Sequence, residues 1–175
     1  EIKKSHHKLE THPHKPVLGL IGAGNYAGGM LIPAFAKTSA ELKTIASSGG
    51  VSGTHIGNKN GFSTSTTDSS MIFNDPQINT VVISTRHGSH AHFVCEALKN
   101  GKNVFVEKPL CLSFEELAQI EQAYHEARKD HPVRLMVGFN RRFSPLTLTC
   151  RQQLSSSNAP CSIIVTVNAG KIPAD

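Results

Sequence analysis

A glycine-rich turn set between an apolar strand and a helical pattern constrains this chain more than any other feature. Val17-Leu18-Gly19-Leu20-Ile21 is a continuous apolar run, and Gly22-Ala23-Gly24-Asn25-Tyr26-Ala27 follows it without a gap. The spacing is G-x-G-x-x-A. The first glycine allows a tight turn, the second lets a pyrophosphate come close to the backbone, and the small Ala27 lets helix and strand pack. The free N–H groups and positive end of the following helix add to the attraction for an anion. Gly22, Gly24, Asn25, Tyr26 and Ala27 are therefore candidate contacts to a dinucleotide. The competing reading is a glycine-rich strand-to-helix turn that binds nothing.

The chain beyond Ala27 supports the first reading, because apolar runs keep alternating with helical patterns, as they do in βαβ units around a parallel sheet. The spacing predicts strands at Val17–Ile21, Leu42–Ser47, Thr80–Thr85, Asn103–Glu107, Arg134–Phe139 and Ile163–Asn168. Ala91, Val94, Cys95 and Leu98 form one helical stripe that Gly101 stops. Ser113 and Glu116 form a capping box, with Leu112 and Leu117 as its hydrophobic staple, and that helix runs on through Ile120, Tyr124 and Ala127. Pro33 lies inside the helix expected after the first strand and predicts two helical pieces there. Between Ser47 and Ser70 the chain is rich in Ser, Thr and Gly. A short helix at Val51–Lys59 is expected, with Val51, Ile56 and Phe62 as its only core candidates. The fold class is thus α/β, a doubly wound, mainly parallel sheet of the Rossmann kind.

Composition narrows the partners. With 38% hydrophobic and 18% charged residues in 175, the chain has the balance of one folded domain. The net charge of +5 suits anionic ligands, but Lys and Arg are scattered, so neither a nucleic-acid partner nor a membrane is expected. Cys95, Cys111, Cys150 and Cys161 form no close pair, which predicts reduced, mostly buried thiols and no zinc ribbon. Residues 1–16, with His6, His7, His12 and His14, read as a linker or disordered terminus; a metal-binding His tract is the alternative, and no metal is expected. No apolar run reaches the roughly 20 residues that span a bilayer, and the chain lacks an opening Met or a signal-like core. It reads as a cytoplasmic piece of a longer protein.

The second strand should end at the residue that meets the adenosine ribose, an Asp or Glu in NAD-selective domains. Here Ser47 and Ser48 take that place, with Gly49 and Gly50 behind them. A neutral hydroxyl does not repel a 2′-phosphate. The cofactor expected is NAD(P), with a slight lean to NADP, although no Arg stands beside the serines and Lys59 is the nearest following cation.

Three further segments carry a family likeness: Ile83-Ser84-Thr85-Arg86-His87-Gly88-Ser89-His90, Gly101-Lys102-Asn103-Val104-Phe105-Val106-Glu107-Lys108-Pro109-Leu110, and Gly138-Phe139-Asn140-Arg141-Arg142-Phe143-Ser144-Pro145. With the glycine turn, they make residues 17 to about 170 resemble the Gfo/Idh/MocA oxidoreductases. The wording of Thr85-Arg86-His87 and Asn168-Ala169-Gly170 also resembles the subgroup fused behind a zinc-dependent alcohol dehydrogenase-like half. The resemblance implies an NAD(P)-binding domain over 17–143, then a connection and the first strand of a truncated α/β substrate domain over 144–175. It implies hydride transfer to or from a hydroxyl or carbonyl carbon of a sugar or cyclitol-like substrate. The full-length protein would be a homo-oligomer.

By the same resemblance Lys108 is the catalytic residue, beside the nicotinamide and bonded to the reacting oxygen, and the Lys108–Pro109 bond is cis. Thr85, Arg86, His87, His90 and Glu107 line the cofactor, and Arg141 faces the substrate side of the nicotinamide. Arg86 stands where many relatives have Pro; it reads equally as a phosphate or substrate contact and as a solvated loop charge. His90 reads equally as a cofactor contact and as a helix-start residue. The group that exchanges the alcohol proton is expected beyond Asp175. A domain that holds dinucleotide without turnover, as a sensor, is the alternative function.

Overall fold

A computed structural model describes residues 15–154, 160, 162–166, 168 and 170. The reading of residues 1–16 as a linker thus lies outside the described residues, save for Lys15 and Pro16. Six strands, β1 (Val17–Ile21), β2 (Glu41–Ala46), β3 (Thr64–Thr66), β4 (Thr80–Ile83), β5 (Asn103–Val106) and β6 (Leu135–Val137), form one sheet. Every pairing is parallel, and the order is β3-β2-β1-β4-β5-β6. The chain winds outward from β1 in one direction and then from β4 in the other. The carboxyl ends of β1 and β4 therefore meet where the order reverses, the place at which open sheets of this class take ligands.

Both faces of the sheet are covered, which is why its central strands are apolar throughout rather than alternating with polar residues. Val81 and Ile83 of β4 join Val104 and Val106 of β5 in one core, under α4 (His90–Lys99) and α5 (Phe114–Asp130). Val82, Leu18, Leu20 and Ile45 face the other core, with Ala27, Leu31 and Ile32. Leu20, Ile45, Val81, Val82 and Ile83 are at most 1% exposed. Burial of side chains of this kind stabilises by about 1.5–3 kcal/mol each.

The helix after β1 solves the problem of Pro33 without breaking. Its helical path begins at Asn25, widens into a π turn over Ala27–Leu31, and continues as α1 (Ile32–Ala36). The Ile32 N–H reaches back five residues to Ala27 O. The extra residue puts Pro33 in the first turn of α1, where its missing N–H costs nothing. The two expected pieces are thus joined by a change of helical pitch.

Other differences have equally local causes. α2 (Val51–Asn60) forms, and Phe62 is buried, but Val51 is 82% exposed because it opens the helix on its outer side. β3 and α3 (Ser70–Asn74) were not expected. β3 is a three-residue edge strand of Thr and Ser with no apolar alternation, held by pairing with β2. At the start of α5, Ser113 Oγ accepts the Glu116 N–H at 3.2 Å, while the Glu116 carboxylate accepts from Leu112 N–H at 2.7 Å. Leu112 is 62% exposed and forms no staple. Cys95 and Cys111 are free and only half-buried, and Cys150 is exposed, so the thiols are less buried than expected. Cys161 lies outside the described residues.

The chain divides into two compact units, the first ending at Phe139 and the second beginning at Asn140. The second unit holds a short 3-10 turn, Asn140–Phe143, and α6 (Pro145–Leu154). The strand expected at Ile163–Asn168 does not form at residues 163–166 or 168; residue 167 is outside the described set. Ile163, Ile164 and Val165 are 66%, 91% and 77% exposed. A β-prone run becomes a strand only when a neighbour takes its N–H and C=O groups, and no described strand pairs with it.

At the amino edge of the sheet, Lys102 is buried just before β5. Its ammonium donates to Asp75 O at 2.7 Å and Ile78 O at 2.8 Å, and burial pulls its pKa below the usual lysine value. Lys102→Met leaves both carbonyls without that donor and is expected to cost about 1–3 kcal/mol in urea unfolding. Because the carboxyl edge is untouched, dinucleotide affinity should not change; a loss of affinity in the folded variant would contradict this separation.

Candidate cofactor site at the carboxyl edge

Three turns converge where β1, β4 and β5 end. The first is bonded on both sides: Gly22 N–H donates to Ala46 O at the end of β2 at 2.8 Å, and Ser84 N–H of the second turn donates to Ile21 O at 2.9 Å. Gly22 has φ +102°, and a Cβ there would strike the Ser84 carbonyl. Gly22→Ala is therefore expected to destabilise the domain by about 1–3 kcal/mol, from backbone strain and the clash together. Urea denaturation reads this directly, and an unchanged midpoint would refute it.

Gly24 is the opposite case. It is exposed, and no atom lies within 4 Å of the position a Cβ would take. Among the described residues, no backbone bond runs from the N–H of Ala23, Gly24 or Asn25, while Gly24 O accepts from Gly28 N–H at 2.9 Å. Open space, unspent donors and the start of a helical run together fit an anionic pyrophosphate. Ala27 is fully buried, as close packing of helix on strand requires, and Tyr26 is 43% exposed.

At the end of β2 the two serines part company. Ser47 N–H continues the sheet by donating to Thr66 O at 3.0 Å. Its hydroxyl is buried without a partner and fills the space over Gly53 of α2, where a Cβ would collide with it. The Oγ of Ser47, expected at the ribose, is thus enclosed by protein, whereas Ser48 beside it is exposed.

In the turn after β4, Thr85 Oγ1 and Ser89 Oγ lie 2.7 Å apart, and Ser89 caps Arg86 O through both its N–H (3.0 Å) and its hydroxyl (2.8 Å). Sequence reasoning passed over Ser89, although a hydroxyl three residues past Arg86 is a common turn clasp. Arg86 and His87 are exposed. His90 is fully buried, with Nδ1 2.6 Å from Pro109 O and Nε2 3.2 Å from Thr85 O. Both ring nitrogens face protein carbonyls, and His90 opens α4, as the helix-start reading has it.

In the turn after β5, Glu107 is buried. Its N–H donates to Ile83 O at 2.9 Å, and its carboxylate occupies the space beside Gly138. That burial turns Glu107 toward the β6 end. Lys108 is exposed, makes no ion pair with a described residue, and is followed by a cis bond to Pro109. Arg141 is exposed on the 3-10 turn of the second unit, and the three turns belong to the first.

Cys95 and Cys111 offer no competing chemistry, since burial pushes both thiols above the ordinary value and away from the reactive thiolate. Among the described residues no group of three His, Cys, Asp or Glu side chains is placed to hold a metal, and no helix is long and apolar enough to cross a membrane.

Comparison with known proteins agrees with this geometry. Scyllo-inositol 2-dehydrogenase (NAD(+)) of Bacillus subtilis is 38% identical over 85 residues, 49% of this chain and 24% of that protein. The 1,5-anhydro-D-fructose reductase of Ensifer adhaerens is 31% identical over 109 residues, 62% of this chain and 33% of that one. The crystal structure of GenD2 from gentamicin A biosynthesis, in complex with NAD, superposes with a TM-score of 0.69 at 25% identity, over 79% of this chain and 38% of that one. The chain thus spans less than half the length of each of these relatives. Residues 17–139, which contain all three turns, match the family described as an oxidoreductase family with an NAD-binding Rossmann fold, and the chain belongs to it: the Gfo/Idh/MocA oxidoreductases.

Proposed function

We propose that this chain is the dinucleotide-holding part of an enzyme that moves hydride between NAD(P) and a hydroxyl- or carbonyl-bearing carbon of a sugar or cyclitol-like substrate. The observation that carries the reading is the meeting, on one sheet edge, of the open Gly24 turn and an exposed Lys108 without an ion partner among the described residues. The names of the relatives, which include an inositol dehydrogenase and an anhydrofructose reductase, support the substrate class.

The nicotinamide ring, when bound, supplies or accepts the hydride. The residues of the chain do the rest. Gly24 and Asn25 offer backbone N–H groups to the pyrophosphate, Ser48 offers a hydroxyl to the adenosine ribose, and Thr85, Arg86 and His87 form the adjoining wall. The Lys108 ammonium donates to the substrate oxygen and stabilises the negative charge that grows there as the carbonyl is reduced. Run in the other direction, the same contact eases loss of the alcohol proton. In this proposal a separate general acid or base carries that proton, and this chain alone is expected to bind cofactor without turnover. The full-length protein is a homo-oligomer in this proposal.

The slight lean to NADP rests on the missing carboxylate. No acidic residue occupies positions 47–50, so a 2′-phosphate meets no repulsion. Lys59 stands eight residues into α2, about 12 Å along its axis, and does not supply a strong phosphate partner. Ser48→Asp should shift preference toward NAD by about tenfold, equivalent to about 1.4 kcal/mol, when the chain is titrated with NAD and NADP in parallel. Equal weakening of both would place the ribose elsewhere. Titration of the wild-type chain with both cofactors tests the larger proposal, and a folded chain that binds neither would end it.

A further inference from the structure

We propose that His90 is a positioning residue for Lys108, tying the turn after β5 to the start of α4 through its Nδ1–H bond to the Pro109 carbonyl. The inference rests on the assignment of hydride chemistry to this edge and deepens it. Lys108 is exposed, and no described carboxylate holds its ammonium. Its placement must come from the backbone. One residue before it, Glu107 N–H donates to Ile83 O at 2.9 Å; one residue after it, Pro109 O lies 2.6 Å from His90 Nδ1. The lysine is therefore clamped on both sides, and His90 supplies the downstream clamp.

The other end of the imidazole packs against the turn after β4. Nε2 is 3.2 Å from Thr85 O, in the turn that also carries Arg86 and His87. A carbonyl oxygen only accepts, so at the 2.6 Å contact Nδ1 carries the proton and donates to Pro109 O, and Nε2 is left as a packing contact with Thr85 O. The ring is fully buried at the first residue of α4 and lies edge-on to His87, with centroids 5.7 Å apart. Rigid packing leaves it one orientation. A single side chain thus sets the distance between two turns that no backbone bond spans directly at this point, and a reacting group displaced by about 1 Å loses on the order of 100-fold in rate.

The two nitrogens can be separated by substitution. An asparagine at position 90 carries its amide N–H near the place of Nδ1, whereas a glutamine carries it near Nε2. In the full-length protein with NAD or NADP and a polyol panel, His90→Asn is expected to keep kcat within about tenfold of wild type, because it keeps a donor for Pro109 O and loses only ring packing. His90→Gln and His90→Leu are expected to lose on the order of 100-fold in kcat. Dinucleotide affinity should stay within about threefold for all three, under 1 kcal/mol, because the Gly24 cradle is untouched. Should His90→Leu fail to fold, the contrast between the two amides still decides the matter. Asparagine performing no better than glutamine, or rates that merely track the folded fraction, would overturn the proposal. A Lys108→Met arm separates the two levels. If it retains wild-type turnover the assignment of hydride chemistry to Lys108 is wrong, whereas an inactive Lys108→Met beside a fully active His90→Gln removes only the role of His90.

Discussion

A Gly24→Val variant folds normally and loses at least about 100-fold in dinucleotide affinity. The expectation of normal folding rests on space: nothing lies within 4 Å of the added Cβ, and Gly24 is exposed. The substitution sits at the mouth of a helix, where a β-branched residue costs a few tenths of a kcal/mol. The loss of binding rests on what that space is for. Backbone N–H bonds to a charged group contribute about 1.5–3 kcal/mol each, and a valine isopropyl group over the cradle removes two of them. That is about 3–6 kcal/mol, or at least 100-fold at 1.4 kcal/mol per decade. Calorimetric titration beside a urea melt measures both halves. Unchanged affinity in the folded variant would falsify the glycine turn as the pyrophosphate site. Gly22→Ala provides the internal contrast, since there the clash is with the protein's own Ser84 carbonyl and stability suffers first.

Lys108→Met in the full-length protein should lower kcat by about 100- to 1,000-fold, the usual consequence of deleting one preorganised donor at a developing oxyanion. Methionine keeps most of the length of the side chain and removes only the charge and the donors. Cofactor affinity should change by less than about threefold. Lys108 is exposed and unpaired among the described residues, so its removal strands no buried partner and stability should hold. A variant that loses cofactor affinity and keeps kcat would move Lys108 from the reacting oxygen to the cofactor itself.

Much of this edge was legible in the sequence because its residues obey local rules. Gly22 and Gly24 follow an apolar strand directly, and that succession alone locates β1, the turn and the helix behind it. The ends of β4, β5 and β6 were each expected one or two residues too far along, and the overrun residues, Thr85 and Glu107 among them, are those that leave the sheet to build the turns. The surroundings of Ser47 and His90 were hidden for one reason. Both are polar residues next to a ligand-binding turn, and only tertiary packing reveals that Gly53 leaves room for the serine hydroxyl and that the imidazole is enclosed between Pro109 O and Thr85 O. β3 stayed hidden because its Thr-Ser-Thr run borrows its structure from β2. Ile163–Val165 shows the converse, a strand-like pattern with no described neighbour to make it a strand.

Lys102 has a consequence for chemical probing. Burial pulls the pKa of this amine down in the closed fold, and on opening it regains solvent and reacts with acylating reagents as an ordinary lysine does. In the closed fold that nucleophile is shielded between the segment at Asp75–Ile78 and the start of β5. Its acylation rate therefore counts openings of the amino edge, so mass-spectrometric tracking of that one amine becomes a clock for local unfolding at the end of the sheet farthest from the cofactor turns.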